Sequence, residues 1–84
     1  MSRTEKDDLT RELDLAGLKC PLPAIRTRRA LLSMNPGERL RVICTDPLAG
    51  IDIPHLLMQT GDVLEATEEC EGTLRFLIKR HGHA

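Results

Sequence analysis

Apolar and polar positions alternate over residues 12–16 (ELDLA), putting Leu13 and Leu15 on one side of a short strand that Gly17 interrupts. Residues 21–34 (PLPAIRTRRALLSM) change to a helical period. Pro21 and Pro23 sit in the first turn, where a missing N–H costs nothing. Ile25 and Leu32, with Leu22 and Leu31, are expected to form the apolar stripe, leaving Arg26, Arg28 and Arg29 on the wet side. Asn35-Pro36-Gly37 stops this helix. Alternation returns over 39–45 (RLRVICT), with Leu40, Val42 and Cys44 sharing the inward face. A second helix is expected over 52–60, with Asp52 as N-cap, Pro54 in the first turn, Leu56, Leu57 and Thr60 toward the sheet, and Gly61 as the left-handed stop. Residues 63–69 and 73–80 pair as a hairpin around Glu71-Gly72, with Leu74, Phe76 and Ile78 on one face.

The order is βαβαββ. Two crossover helices with right-handed connections land on the same side. The predicted fold is therefore an α/β (α+β) two-layer sandwich, a mixed four-stranded sheet with two helices on one face. Residues 1–11 are polar and aperiodic and read as a flexible N-terminal tail, 12–80 as one domain and 81–84 as a C-terminal tail.

Composition narrows the function classes. The chain has 84 residues, and a domain of that size leaves little room for a deep enclosed pocket, so chemistry is expected at the surface. Phe76 is the only aromatic residue and the net charge is −1, which argues against direct nucleic-acid binding through stacking platforms or a global basic field. Charge is nonetheless segregated. Lys19 to Arg41 holds six basic residues and one acid, whereas Val42 to Gly72 holds seven acids and no Lys or Arg. Such asymmetry either orients a partner or describes two solvated faces. No apolar run is long enough to span a membrane and the N-terminus is too polar for a secretory signal, so the expected location is the cytoplasm, where three cysteines stay reduced.

Cys20 is the candidate catalytic residue. It lies where a strand-and-turn meets a helix, immediately before Pro21, where orphan N–H groups and the positive end of the helix dipole favour a thiolate. Lys19 and Arg26 are expected to add to that stabilisation. The bland alternative, a small buried hydrophobe, describes many free cysteines but fits a tight polar turn poorly. Cys44 alternates with Leu40 and Val42 and reads as core. Cys70 lies beside the hairpin turn among Glu68, Glu69 and Glu71, which oppose a thiolate. His55 has no evident partner in sequence. His81 and His83 lack metal-ligand spacing, so no metal site is assigned. Asp46 is expected to shape its turn or cap a backbone N–H, and to lie near Cys20 because both follow parallel strands at one sheet edge.

These residues carry a resemblance. Leu15-Ala16-Gly17-Leu18-Lys19-Cys20-Pro21-Leu22-Pro23 is similar to the Cys-Pro-x-Pro signature of the TusA/SirA family. The likeness continues through Asn35-Pro36-Gly37-Glu38, Thr45-Asp46-Pro47, Asp52-Ile53-Pro54, Thr60-Gly61 and Phe76-Leu77-Ile78-Lys79-Arg80. The resemblance implies a sulfur carrier of sulfurtransferase type in which Cys20, supported by Lys19, Pro21, Pro23 and Asp46, accepts sulfane sulfur as a persulfide. The implied donor is a cysteine desulfurase or a rhodanese-like protein, and the acceptor is a cysteine of a downstream relay protein. The implied pathways are tRNA thiolation, molybdenum-cofactor assembly or sulfur oxidation, with no cofactor needed. Arg26, Arg28 and Arg29 match the basic character common around the family motif and are assigned to partner docking. The family often has a histidine where this chain has Asp62, a change expected to alter a partner contact. The competing reading is a non-catalytic binding or regulatory module of the same fold.

Overall fold

The structure is a computed structural model that describes residues 10–81. Six elements follow in the predicted order: β1 (Thr10–Leu15), α1 (Leu22–Leu32), β2 (Arg39–Cys44), α2 (Ala49–Thr60), β3 (Val63–Cys70) and β4 (Thr73–Lys79). They form a four-stranded sheet of order β1-β2-β4-β3, with β1 and β2 parallel and the other pairs antiparallel. Most of the predicted N-terminal tail, and His83, lie outside the described residues. Thr10 and Arg11, placed in that tail by their polarity, are instead paired with Arg39 and Leu40 as the start of β1.

The core is the helix-facing side of the sheet. Leu15, Leu40, Val42, Cys44, Phe76 and Ile78 are buried there, every second residue of their strands. Phe76 and Ile78 stand opposite Val42 and Leu40 in the β2–β4 register. A phenylalanine buried this fully is worth about 3–5 kcal/mol against alanine. From the helices come Pro23, Leu31, Ala49, Ile53, Leu56 and Leu57. Strand β3 is the exposed outer edge. A register irregularity between Leu64 and Ala66, and three glutamates along its length, make it a poor template for another chain. Glu71 and Gly72 both take positive φ at the hairpin turn that joins β3 to β4.

Three expectations are corrected. The buried stripe of α1 is Pro23, Thr27 and Leu31, spaced four residues apart; Leu22, Ile25 and Leu32 are 45%, 52% and 60% exposed. Of the expected stripe only Leu31 is buried; the helix is rotated so that Pro23 and Thr27 join it against the core and Leu22, Ile25 and Leu32 meet solvent. Second, α2 begins three residues early. Asp46 opens it: its carbonyl accepts from the N–H of Ala49 at 2.9 Å and its carboxylate from Leu48 at 3.0 Å. Asp52 is thus a first-turn residue and not the cap, and Pro54 stands inside the helix. Third, Asp62 is buried and internal. It accepts from Arg80 Nη1 at 3.1 Å and from the backbone of His81 at 2.8 Å, so it fastens the segment after β4 to the α2–β3 junction.

Candidate functional site

Two loops at the C-terminal ends of the parallel strands β1 and β2 build the site. Leu15 pairs with Cys44, so the chain leaves both strands at the same level. After β1, Asp14 accepts from the N–H of Ala16 and the chain turns through Gly17 at φ 88°, where a side chain would be strained. The N–H of Gly17 donates to Thr45 Oγ1 at 2.9 Å, and that of Cys20 to Asp46 Oδ2 at 2.5 Å. The loop after β2 therefore holds the loop after β1 by both residues of its Thr45-Asp46 pair. Cys20 is exposed, and the peptide bond that joins it to Pro21, the N-cap of α1, is cis.

The sulfur meets a carboxylate. Cys20 Sγ donates to Asp52 Oδ2 at 2.8 Å. This hydrogen bond, with the surrounding burial and the charges of Asp52 and Asp46, raises the thiol above its ordinary value. The electrostatic expectation drawn from the helix end is thereby reversed, and the reason is local. Pro21 and Pro23 have no N–H, and that of Leu22 is spent on the carbonyl of Lys19 at 2.8 Å. The helix start thus has few donors to offer the sulfur, and the acids of the neighbouring loop and helix decide the outcome. Asp46 itself is lowered, because the backbone N–H groups of Cys20 and Leu48 hydrogen-bond its charged form and Lys19 adds to this. Lys19 thus acts on Asp46.

Pro21 is exposed, whereas Pro23 is fully buried and anchors the first turn of α1 in the core. Arg26, Arg28 and Arg29 are exposed on α1; Arg28 and Arg29, with Ile25 and Leu32, line a shallow depression of about 210 Å³. Cys44 is buried, and burial first and Asp46 second push its thiol up to about 11. Cys70 is exposed beside the β3–β4 turn, at the same end of the sheet as the two loops of the site but on the outer strand. His55 is exposed and shares a 3.3 Å contact with Gln59. Among the described residues no group of three or more His, Cys, Asp or Glu could hold a metal ion, and no helix is long and apolar enough to cross a membrane.

Asp52 is the site residue that sequence reasoning missed. Its signal was present twice, in the Asp-Ile-Pro run and in the apolar stretch from Leu48 that carries α2 back beyond it. Taking it as a cap spent its carboxylate on the backbone.

An exposed, hydrogen-bonded thiol at the edge of an α+β sandwich defines a surface-cysteine protein. The family model described as sulfurtransferase TusA matches residues 11–80. The chain belongs to this family of sulfur carriers. It is 42% identical over 73 residues to the sulfur carrier protein TusA of Allochromatium vinosum, spanning 87% of this chain and 96% of that protein. It is 40% identical over 67 residues to a putative sulfur carrier protein of Neisseria meningitidis, spanning 80% and 90%. In fold it is similar to the crystal structure of a SirA-like protein from Desulfitobacterium hafniense, with a TM-score of 0.73 at 22% identity over 83% of this chain and 96% of that one.

Proposed function

We propose that Cys20 carries sulfane sulfur as a persulfide and relays it between two protein cysteines in the cytoplasm. The observation that carries this reading is the place of Cys20: the motif cysteine of a sulfur-carrier family, exposed, and held by its backbone to Asp46 at the rim of the sheet. An open thiol suits a carrier, because both the donor and the acceptor must bring their own sulfur to it.

In loading, Cys20 Sγ attacks the outer sulfur of a donor persulfide. The new S–S bond forms as the donor's own S–S bond breaks, and the donor cysteine leaves as a thiolate that takes up the proton given up by Cys20. In unloading, an acceptor thiolate attacks the outer sulfur and Cys20 departs as thiolate, to be reprotonated. Neither step changes the total oxidation state, so no external oxidant or reductant enters. The donor is a cysteine desulfurase or a rhodanese-like protein, and the acceptor is a relay protein of tRNA thiolation, molybdenum-cofactor assembly or sulfur oxidation. The exposed face of α1, where Ile25 and Leu32 stand between Arg28 and Arg29, is the docking surface for these partners. It joins an apolar contact to cations, the combination suited to an acidic protein surface.

Intact-mass spectrometry under non-reducing conditions tests the reading. Protein incubated with a cysteine desulfurase and free cysteine gains one sulfur atom, removable by reductant, and the Cys20→Ser variant gains none. No gain from either a desulfurase or a rhodanese would replace the carrier by a binding module of the same fold.

A further inference from the structure

The reading just given leaves one feature of the site unused: a carboxylate in direct contact with the sulfur it needs as a nucleophile. We propose that Asp52 is a positioning residue that holds Cys20 as a hydrogen-bonded thiol in the free carrier, so that attack by the sulfur waits for a donor protein that brings positive charge to this carboxylate. The proposal rests on the carrier reading and adds a condition to it.

The geometry supports it from three sides. Sγ and Oδ2 are 2.8 Å apart, and at this distance the sulfur must keep its proton to avoid setting two anions together. Asp52 is fixed in the first turn of α2, where the N–H of Asp52 itself is engaged with Leu48, so it cannot drift away with a loop. The other charges around the sulfur do not relieve it. Asp46 opposes the thiolate as Asp52 does, Lys19 acts on Asp46, and Arg26 lies on the exposed face of α1. With none of the described residues supplying it, the proposal takes the neutralising cation from the partner.

Loading changes the contact itself. Once Sγ is bonded to a second sulfur it has no hydrogen to donate, and the bond to Asp52 is lost. The outer sulfur then stands beyond Sγ and keeps its proton, open to attack by an acceptor thiolate. Asp52 thus restrains Sγ in the empty carrier and not in the loaded one.

The test uses the full chain with Cys70→Ser, so that Cys20 is its one exposed thiol among the described residues. Alkylation of Cys20 by iodoacetamide is followed from pH 6 to 10 in this background, with Asp52→Asn and Asp52→Glu beside it. Asp52→Asn is expected to move the midpoint of the rate profile to lower pH. Each tenfold gain in thiolate at pH 7 gives only about a threefold gain in rate, because a more acidic thiolate is a weaker nucleophile. Asp52→Glu, which restores the charge, returns the midpoint toward that of the parent. An unmoved midpoint in Asp52→Asn overturns the proposal; a change in rate that is equal at every pH does the same, since it marks a purely structural effect. In parallel, sulfur uptake from a cysteine desulfurase is expected to gain less from Asp52→Asn than alkylation does, because a docked donor already relieves the carboxylate. Equal gains overturn the requirement for a partner's charge. A parent that takes sulfur from no donor, while its alkylation midpoint still moves with Asp52, overturns the carrier reading and leaves the role of Asp52 standing.

Discussion

The backbone N–H of Cys20 donates to the carboxylate of Asp46 at 2.5 Å, and the same carboxylate receives the N–H of Leu48 at 3.0 Å. One side chain thereby fixes the turn that presents the sulfur and starts the helix that carries Asp52. Removing it should disturb both. The Asp46→Asn variant is expected to melt at a lower temperature and to lose part of its acid-side pH dependence. The sign follows from linkage: the folded carboxyl is lowered, so its contribution is full above the unfolded value near 4 and is lost as pH falls through the folded value. Thermal melts from pH 2.5 to 7 check this.

Arg80 and Asp62 form an ion pair at 3.1 Å with the aspartate fully buried. Removing one partner of such a pair leaves an uncompensated charge, and Arg80→Ala is expected to cost about 3–5 kcal/mol. Urea unfolding would show this as a large drop in midpoint. An exposed ion pair would give about 1 kcal/mol or less.

Thr27 is fully buried in the middle of α1, and its hydroxyl has no hydrogen-bond partner among the described residues. Valine has the same shape without the polar atom. Thr27→Val is expected to stabilise by about 1 kcal/mol, which for a domain of this size raises the melting temperature by about 4–8 °C.

Two cysteines are exposed and Cys44 is buried. Native protein treated with a thiol reagent is expected to show two groups that react without unfolding, Cys20 slowed by its bond to Asp52, the third appearing only on unfolding. Cys44 also sets an alkaline limit. Its folded value of about 11 lies above the ordinary 9.0, so the stability it contributes is full below about pH 9 and is lost by about pH 11, as the unfolded chain ionises first. Cys44→Ala should flatten that alkaline limb.

Ile25 and Leu32 contribute little to the core at 52% and 60% exposure. Ile25→Ser is expected to change stability by about 0.5 kcal/mol or less, yet to slow sulfur uptake from a donor protein several-fold. Uptake from a small-molecule persulfide should be unaffected, which separates docking from reactivity.

The sheet was readable because its strands alternate cleanly. Leu40, Val42 and Cys44, like Leu74, Phe76 and Ile78, can satisfy a period of two only by facing one core, and glycines mark the breaks between elements. The helices were harder. In α1 three large aliphatic side chains compete with Pro23, Thr27 and Leu31 for the buried face, and residue type points to the wrong set. A side chain kept outside for a partner has the same sequence signature as one kept inside for the core. At the site, Cys20 and Asp46 were visible from their positions after two strands. The contact with Asp52 was missed because it depends on where α2 starts: a helix begun at Asp52 makes that residue a cap, whereas one begun at Ala49 leaves its carboxylate free for Sγ. Asp62 was hidden for a similar cause: its partner Arg80 lies 18 residues away, across a hairpin.

The carboxylates that hold Cys20, Asp46 by its backbone and Asp52 by its sulfur, lie 26 and 32 residues downstream of it. A chain emerging from the ribosome presents Cys20 well before it presents Asp46 or Asp52, and until β1 and β2 have paired the sulfur is an ordinary peptide thiol. Restraint of this cysteine is a property acquired on folding. A nascent or unfolded copy is open to any electrophile or oxidant that meets it, and only the completed sheet sets Asp46 and Asp52 against Cys20.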